Sequence, residues 1–584
     1  MCAPSSGRIN PRQPPAETGR VASLDGATVP TMLEDGTAPS LMAPFCSVPV
    51  ATVCAPARPW HRQRLATEGH PMRYDTIIVG GGTAGCILAA RLSEDPRRTV
   101  LLLEAGPDFP DLNQLPDMLK YGWGTINLEA RQAGAPYNWS FVGTANAHQP
   151  LPMPVPRGKA TGGTSAINGQ TFIRGAPEDF ETWASWGNTE WSYQHVLPYF
   201  KKLENDADFH DAFHGTDGPV PVRRFPRETW PPMQEAFYRA CVAADFPEYP
   251  DGHHPDATGL SLRAENNVDG VRMSTALTYL QPSRHRLNLT IRPQVMVRRI
   301  LFAGTTATGV EVDSGGERFL LEGQEIVLSA GAVASPQLLM LSGVGPQASL
   351  HALGLPVVQH LPGVGQNMRD HPNVQVRLRL KPGVPEDDIA RRAVRLRYTA
   401  TRSSTTNDMI LSPASLNTVH ATGQDPSHTI NCGLYLAVGS GALWLTSRDP
   451  AVQPAMDYRY LDDPWDVQRL REAVRLCVRL LDDPAFQAIL EHRVSPTDAE
   501  LASDAALDHW LRHNVTSSYH IAGTCKMGQA SDPMAVVDQW CHVHGLSGLR
   551  VADASIMPDV VRANTNVTTM MIAERCADFI KAGR

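Results

Sequence analysis

The chain of 584 residues carries 52 Lys and Arg against 60 Asp and Glu, a formal net charge of −8. That acidic balance argues against a general nucleic-acid binder, and the length predicts two or more cores. The longest apolar runs, such as residues 99–106, fall far short of the roughly 20 residues a membrane-crossing helix needs.

The 48 prolines and 46 glycines predict many turns rather than a helical bundle. The ten cysteines form no C-x-x-C pair, which points to reduced, packed thiols in a cytoplasmic setting and to no metal site. Residues 1–71 are rich in Pro, Ala and Arg and have no amphipathic period. They lack the charged start and continuous apolar core of a secretory signal. Arginine is the only strong base before Lys120, as in a transit peptide, but acids are interspersed. The expectation is a disordered extension, with Met72 a candidate ancestral start.

Residues 74–106, YDTIIVGGGTAGCILAARLSEDPRRTVLLLEAG, read as strand, glycine turn, helix and strand. Gly80, Gly82 and Gly85 keep the G-x-G-x-x-G spacing. The first permits the tight turn, the second a close pyrophosphate and the third a close helix. The helix N-terminus presents free N–H groups to phosphate. Glu104, ending the second strand, is placed to accept ribose hydroxyls. The unit predicts dinucleotide binding and does not separate NAD from FAD.

A second glycine cluster, residues 156–183, contains Gly158, Gly162, Gly163, Thr164, Ser165, Asn168 and Gly169. Small residues at this density let backbone lie flat on a planar or polyphosphate ligand. Residues 329–345, SAGAVASPQLLMLSGVG, follow a strand and enter a helix. Near the C-terminus comes SSYHIAGTCKMG around His520, then a strand and turn in LRVADAS. A last helix opens on Asn564, Thr565 and Asn566.

From residue 73 to the C-terminus this order of motifs resembles the glucose–methanol–choline (GMC) oxidoreductases, on the side of choline dehydrogenase-like and hydroxymethylfurfural oxidase-like enzymes. GKATGGTSAIN is similar to the family's first signature, with Thr161 where an aliphatic residue is usual. GAVASPQLLMLSGVG is similar to the second, and GVGQNMRDHP to a further segment. The resemblance implies an α/β fold. A doubly wound, Rossmann-like FAD domain would be interleaved with a substrate domain built on an antiparallel sheet with helices. The implied division is 72–369 for FAD, 370–514 for substrate and 515–584 as the return to the FAD domain.

It implies non-covalent FAD on Gly80, Gly82, Thr83, Ala84 and Gly85, with Glu104 and Ala105 at the ribose and Val297 at the adenine. Arg157, Gly162, Gly163, Thr164, Ser165, Asn168 and Gly169 would follow the ribityl chain and flavin edge. Asp553 and Ala554 would return to the pyrophosphate, and Asn564, Thr565 and Asn566 would flank the ring. The implied reaction is oxidation of a primary or secondary alcohol to the carbonyl, the hydride going to flavin N5.

A base must take the hydroxyl proton. Histidine, with an ordinary pKa of about 6.5, suits it, and His520 stands in the family's catalytic position. The partner position falls on Asn564, which cannot be a base but can donate a hydrogen bond to the alcohol oxygen. Asn564 is also a natural helix cap, and Asn566 competes with it. His371 reads as structural, His253 and His254 as a solvated loop, Cys86 and Cys525 as packed thiols. Tyr519 is expected to line the pocket, and Trp444 and Trp465 to lie in the core or on the rim. An FAD-containing lyase or decarboxylase of the same fold, and a flavin protein without catalysis, are the rival readings. The alcohol, the acceptor (oxygen or another) and the oligomeric state are not legible. A quaternary ammonium would call for an aromatic cage and a carboxylate, and no such set stands out.

Overall fold

The β-branched run Tyr74–Val79 (β1) is buried along nearly its whole length. The glycine turn hands it to the helix Thr83–Leu92 (α1), which buries Ile87, Leu88 and Leu92. Val100–Leu103 (β2) then pairs parallel with β1, from Thr76↔Val100 to Val79↔Leu103. The computed structural model describes residues 73–385, 392–414 and 428–584. The expected extension at 1–71 lies outside them, as does part of the expected substrate region 370–514.

Around β1 the parallel strands lie in the order Leu289–Arg292, β2, β1, Glu317–Leu328, Leu549–Val551. Numbered along the chain this is 3-2-1-4-5, the doubly wound order whose crevice opens where the winding reverses, beyond the C-terminal ends of β1 and Glu317–Leu328. The strand Glu317–Leu328 serves two sheets. Its second half joins the parallel set, while residues 317–322 pair antiparallel with Thr306–Ser314, which pairs in turn with Met296–Ala303. The helix Gly331–Leu341 (α2) leaves from the crevice.

A second seven-stranded sheet is antiparallel throughout. Its order is Leu490–Ser495, Pro372–Leu380, His428–Leu434, Met409–Ala414, Val394–Tyr398, Gly259–Leu262, with Thr516–Ser517 beside the start of Pro372–Leu380. It therefore draws strands from outside 370–514. The amphipathic helix Pro464–Leu480 (α3) covers it, its first turn capped by the Asp463 carboxylate on the Trp465 N–H. The last helix, Thr565–Lys581 (α4), is buried on nearly every side and packs on α1. Its Glu574 accepts from Arg91 and the Tyr279 hydroxyl and pairs with Lys202, so a carboxylate in the core is fully engaged.

Among the described residues no helix is long and apolar enough to cross a membrane. The described cysteines are all buried and free. Cys86, as expected, is a packed thiol, its Sγ donating to the Gly81 carbonyl while burial pushes its pKa up to about 12. Trp444 is 40% exposed and Trp465 half-buried, so neither lies in the core. The expected solvated loop at His253 is corrected: that ring is buried, with Nε2 3.0 Å from the Phe172 carbonyl. It lies in a buried group with His214 and Asp206. The Arg224 guanidinium, bonded to both Asp206 oxygens, supplies positive charge there.

Candidate active site

A cavity of about 460 Å³ opens at the crevice. At one end Gly80, Gly82 and Gly163 form its floor. A Cβ on Gly163 would lie 2.6 Å from the Cα of Gly82, so the two glycine loops touch backbone to backbone. The Gly162 N–H donates to the Gly81 carbonyl at 2.7 Å and locks that contact. No side chain caps the N-terminus of α1, leaving its first N–H groups and positive dipole end free for a phosphate. Glu104 lies beside the turn, held by the Gly81 and Gly106 N–H groups. Burial raises its pKa and these backbone donors lower it. Asp553 accepts from the Gly331 N–H and the Ser335 hydroxyl, tying the C-terminal segment to α2.

Most residues expected to hold the cofactor line this cavity: Thr83, Ala84, Ala105, Arg157, Thr164, Asn168, Gly169, Val297, Ala554, Thr565 and Asn566 join those already named. Gly85, Gly162 and Ser165 do not. A Cβ on Gly85 would fall 1.9 Å from the Gly80 carbonyl oxygen, so this glycine serves the close approach of helix and turn. Gly162 turns the chain at φ +96°. The fully buried Ser165 donates to the Gly162 carbonyl at 2.6 Å.

At the other end stand His520 and Asn564, joined at 2.9 Å from Nε2 to the carboxamide Nδ2. Register brings them there. Pro372 pairs with Ser517, and Arg369 with Ala522, so the second strand carries two extra residues between these pairs. The bulge, with Tyr519 at φ +64°, pushes residues 518–520 into the cavity. Asp370 holds it from below. Its Oδ1 accepts from the backbone N–H of both His371 and His520, and its Oδ2 from the hydroxyls of Tyr460 and Ser517.

The expectation that His371 is merely structural is incomplete. Its Nδ1 sits 2.9 Å from Nδ1 of His520, and its ring stacks on Tyr435 at 3.9 Å. An amide Nδ2 only donates, so Nε2 of His520 carries a lone pair and its Nδ1 carries the proton, given to His371. Burial first, then the neighbouring His520 and Arg369, holds the His371 pKa well below its ordinary value. Asn564 occupies the cap position of α4 but makes no side-chain cap bond, because its amide is turned to His520. Asn566 is engaged elsewhere, its Oδ1 accepting from the Thr83 hydroxyl at 3.0 Å. The uncapped N-terminus of α4 thus faces the cavity with its positive dipole end.

Three comparisons bear on this arrangement. The GMC oxidoreductase family model matches residues 74–373 with its N-terminal part and 438–573 with its C-terminal part. The chain belongs to the GMC oxidoreductases. It is 35% identical over 540 residues to an oxygen-dependent choline dehydrogenase of Photobacterium profundum, covering 87% of this chain and 93% of the relative. The structure is similar to that of pyridoxine 4-oxidase from Mesorbium loti, with TM-score 0.80, 28% identity and coverage of 87% and 99%. It is equally similar to an FAD-containing formate oxidase of Aspergillus oryzae, with TM-score 0.80, 25% identity and coverage of 88% and 99%. This GMC oxidoreductase is an FAD-dependent enzyme acting on alcohol-type donors. The glycine cradle fits that cofactor, since the side-chain-free turns of Gly80, Gly82 and Gly163 and the uncapped N-terminus of α1 offer bare backbone to a pyrophosphate at the cavity floor.

The electrostatics of His520 carry a pH prediction. Burial, then the charges of Arg157 and Arg263, pull its pKa down to about 3. The form able to accept a proton is the neutral one, which this shift preserves until pH falls to about 3. The rate of FAD reduction at saturating alcohol should therefore show no protonation limb near the ordinary histidine value of about 6.5. A stopped-flow profile between about pH 5 and pH 8 checks this. A limb centred near 6.5 would mean that the proton acceptor is not this buried imidazole.

Proposed function

We propose that the protein oxidises a primary or secondary alcohol to its carbonyl, with His520 as the base and Asn564 as the anchor of the substrate oxygen. Residues 72–369 and 515–584 serve FAD. The segment 370–514, joined by the strand Gly259–Leu262, walls the substrate side. The observation that carries this reading is the bonding of His520 to Asn564 and His371, 2.9 Å on each side, inside the cavity that the glycine cradle opens.

An alcohol oxygen within reach of both side chains donates its proton to Nε2 of His520 and accepts from the Asn564 amide. When bound, FAD supplies the two-electron acceptor for the hydride that leaves the carbon. His371 accepts from Nδ1 of His520 before and after the proton arrives, which keeps the ring oriented with its lone pair toward the substrate. Asp370 fixes the backbone of both histidines. The dipole of α4 favours negative charge at this end of the cavity.

The test is anaerobic mixing of the purified holoenzyme with a panel of primary and secondary alcohols. The expected result is loss of the visible absorbance of bound FAD with one carbonyl product formed per FAD. Admission of air then separates oxygen from another acceptor by the speed of reoxidation. Product formation without any change in the FAD spectrum would overturn the reading in favour of a lyase or decarboxylase.

A further inference from the structure

The charge lining the cavity is lopsided. Its carboxylates, Glu104 and Asp553, are both engaged by backbone N–H groups at the cradle. Its cations are Arg131, Arg157 and Arg392. Arg131 gives its Nε–H to the Asn127 carbonyl, but its Nη2 is buried with no partner. Arg263 lies close enough to His520 to depress its pKa, and its own Nε is buried without a partner. Arg392 is half-buried, with Glu265 as its one attractive charge.

Glu265 cannot balance this set. It already accepts from Trp123 Nε1 and Gln170 Nε2, and burial raises its pKa to about 7, leaving it partly protonated at neutral pH. Among the described residues no carboxylate forms an ion pair with Arg131, Arg263 or Arg392. Burial first, then the nearby charge of Arg392, pulls Arg131 down to about 10 and Arg263 to about 9. A buried guanidinium without a counter-charge is costly, and its planar fork of donors matches a carboxylate.

We infer that the substrate is a hydroxy acid: an alcohol whose carboxylate is held by Arg131 and Arg392 while its hydroxyl meets His520 and Asn564. This rests on the oxidation reading above and narrows it. Such a lining repels a quaternary ammonium, so choline, the substrate in the name of the Photobacterium relative, would be a poor one here. Arg263 adds long-range positive charge behind the reacting end.

The experiment uses wild-type holoenzyme and matched pairs: 4-(hydroxymethyl)benzoate against benzyl alcohol, and 4-hydroxybutyrate against 1-butanol, with choline as a third arm. The hydroxy acids are expected to exceed their neutral partners in kcat/KM by roughly 10- to 100-fold. Arg392→Met and Arg131→Met are expected to bring that ratio toward unity, and Arg392→Lys to keep part of it. As a readout that needs no variant, benzoate and benzamide are also titrated into the wild type, following the visible spectrum of bound FAD. Benzoate should perturb it at much lower concentration than benzamide. Equal or better oxidation of benzyl alcohol or choline, with equal effects of benzoate and benzamide, would overturn the charge inference while leaving alcohol oxidation intact. If no alcohol reduced the bound FAD, the oxidation reading itself would fall, and the benzoate titration would still decide the anion site.

Discussion

Replacing His520 with alanine is expected to slow alcohol oxidation by about 10²–10⁴-fold while leaving FAD bound. The loss should be that large because no other acceptor meets the Asn564 amide: the nearest imidazole, His371, contacts only the far side of the His520 ring. Asn564 itself is no base, and burial keeps the Tyr519 and Tyr435 hydroxyls protonated, raising both pKa values, Tyr435 to about 12. Asp370 has both oxygens occupied by donors. The backbone at this position should survive the change. The residue 520 N–H is held by Asp370, and Ala522 exchanges hydrogen bonds with Arg369 at 2.9 Å in each direction. Neither contact needs the imidazole. The measurement is the rate of anaerobic FAD reduction at saturating alcohol, beside the FAD content per chain. A variant that keeps both FAD and the wild-type rate would remove His520 from the mechanism.

Gly163→Val is expected to yield a chain that retains little or no FAD. A Cβ here would stand 2.6 Å from the Cα of Gly82, and the backbone at Gly163 has φ +52°, where a β-branched residue is strained. The neighbouring contacts offer no slack. A Cβ on Gly158 would already lie 2.1 Å from the Gly163 carbonyl oxygen, and the Gly162 N–H is committed to Gly81. The valine must therefore force the two loops apart and distort the cavity floor that Gly80, Gly82 and Gly163 form. A displacement near 1 Å at such a site costs on the order of 10²-fold. Absorbance of released FAD per chain after gel filtration measures the outcome, and a thermal melt with and without added FAD tests whether the fold persists. Full FAD content in this variant would mean that the apposition of the two loops is not what shapes the cofactor site.

The parts of this molecule that could be read from one dimension are those whose requirements are met within a few residues. Gly80 and Gly82 declare a turn and a close backbone approach because a side chain there would collide at once. The β-branched run before them and the apolar helix after them complete a unit that folds on its own neighbours. The opening of α4 at Asn564 was legible for the same reason, and so was His520 as a basic group flanked by a small-residue turn. What distance in the chain separates was not legible. His371 lies 149 residues before His520, and their contact depends on strand register and a two-residue bulge, which no local pattern announces. Asn564 and Asn566 are equivalent as a string. They part company only because the first turn of α4 aims one at His520 and the other at Thr83. Ser165 shares a loop with Gly163, and only packing shows that its hydroxyl is spent on the Gly162 carbonyl. Arg131, Arg263 and Arg392 come from separate segments, and each alone resembles a surface cation. Only packing shows that they crowd one buried space, because the energy of a charge depends on the dielectric and the partners around it, and these are set by the whole fold.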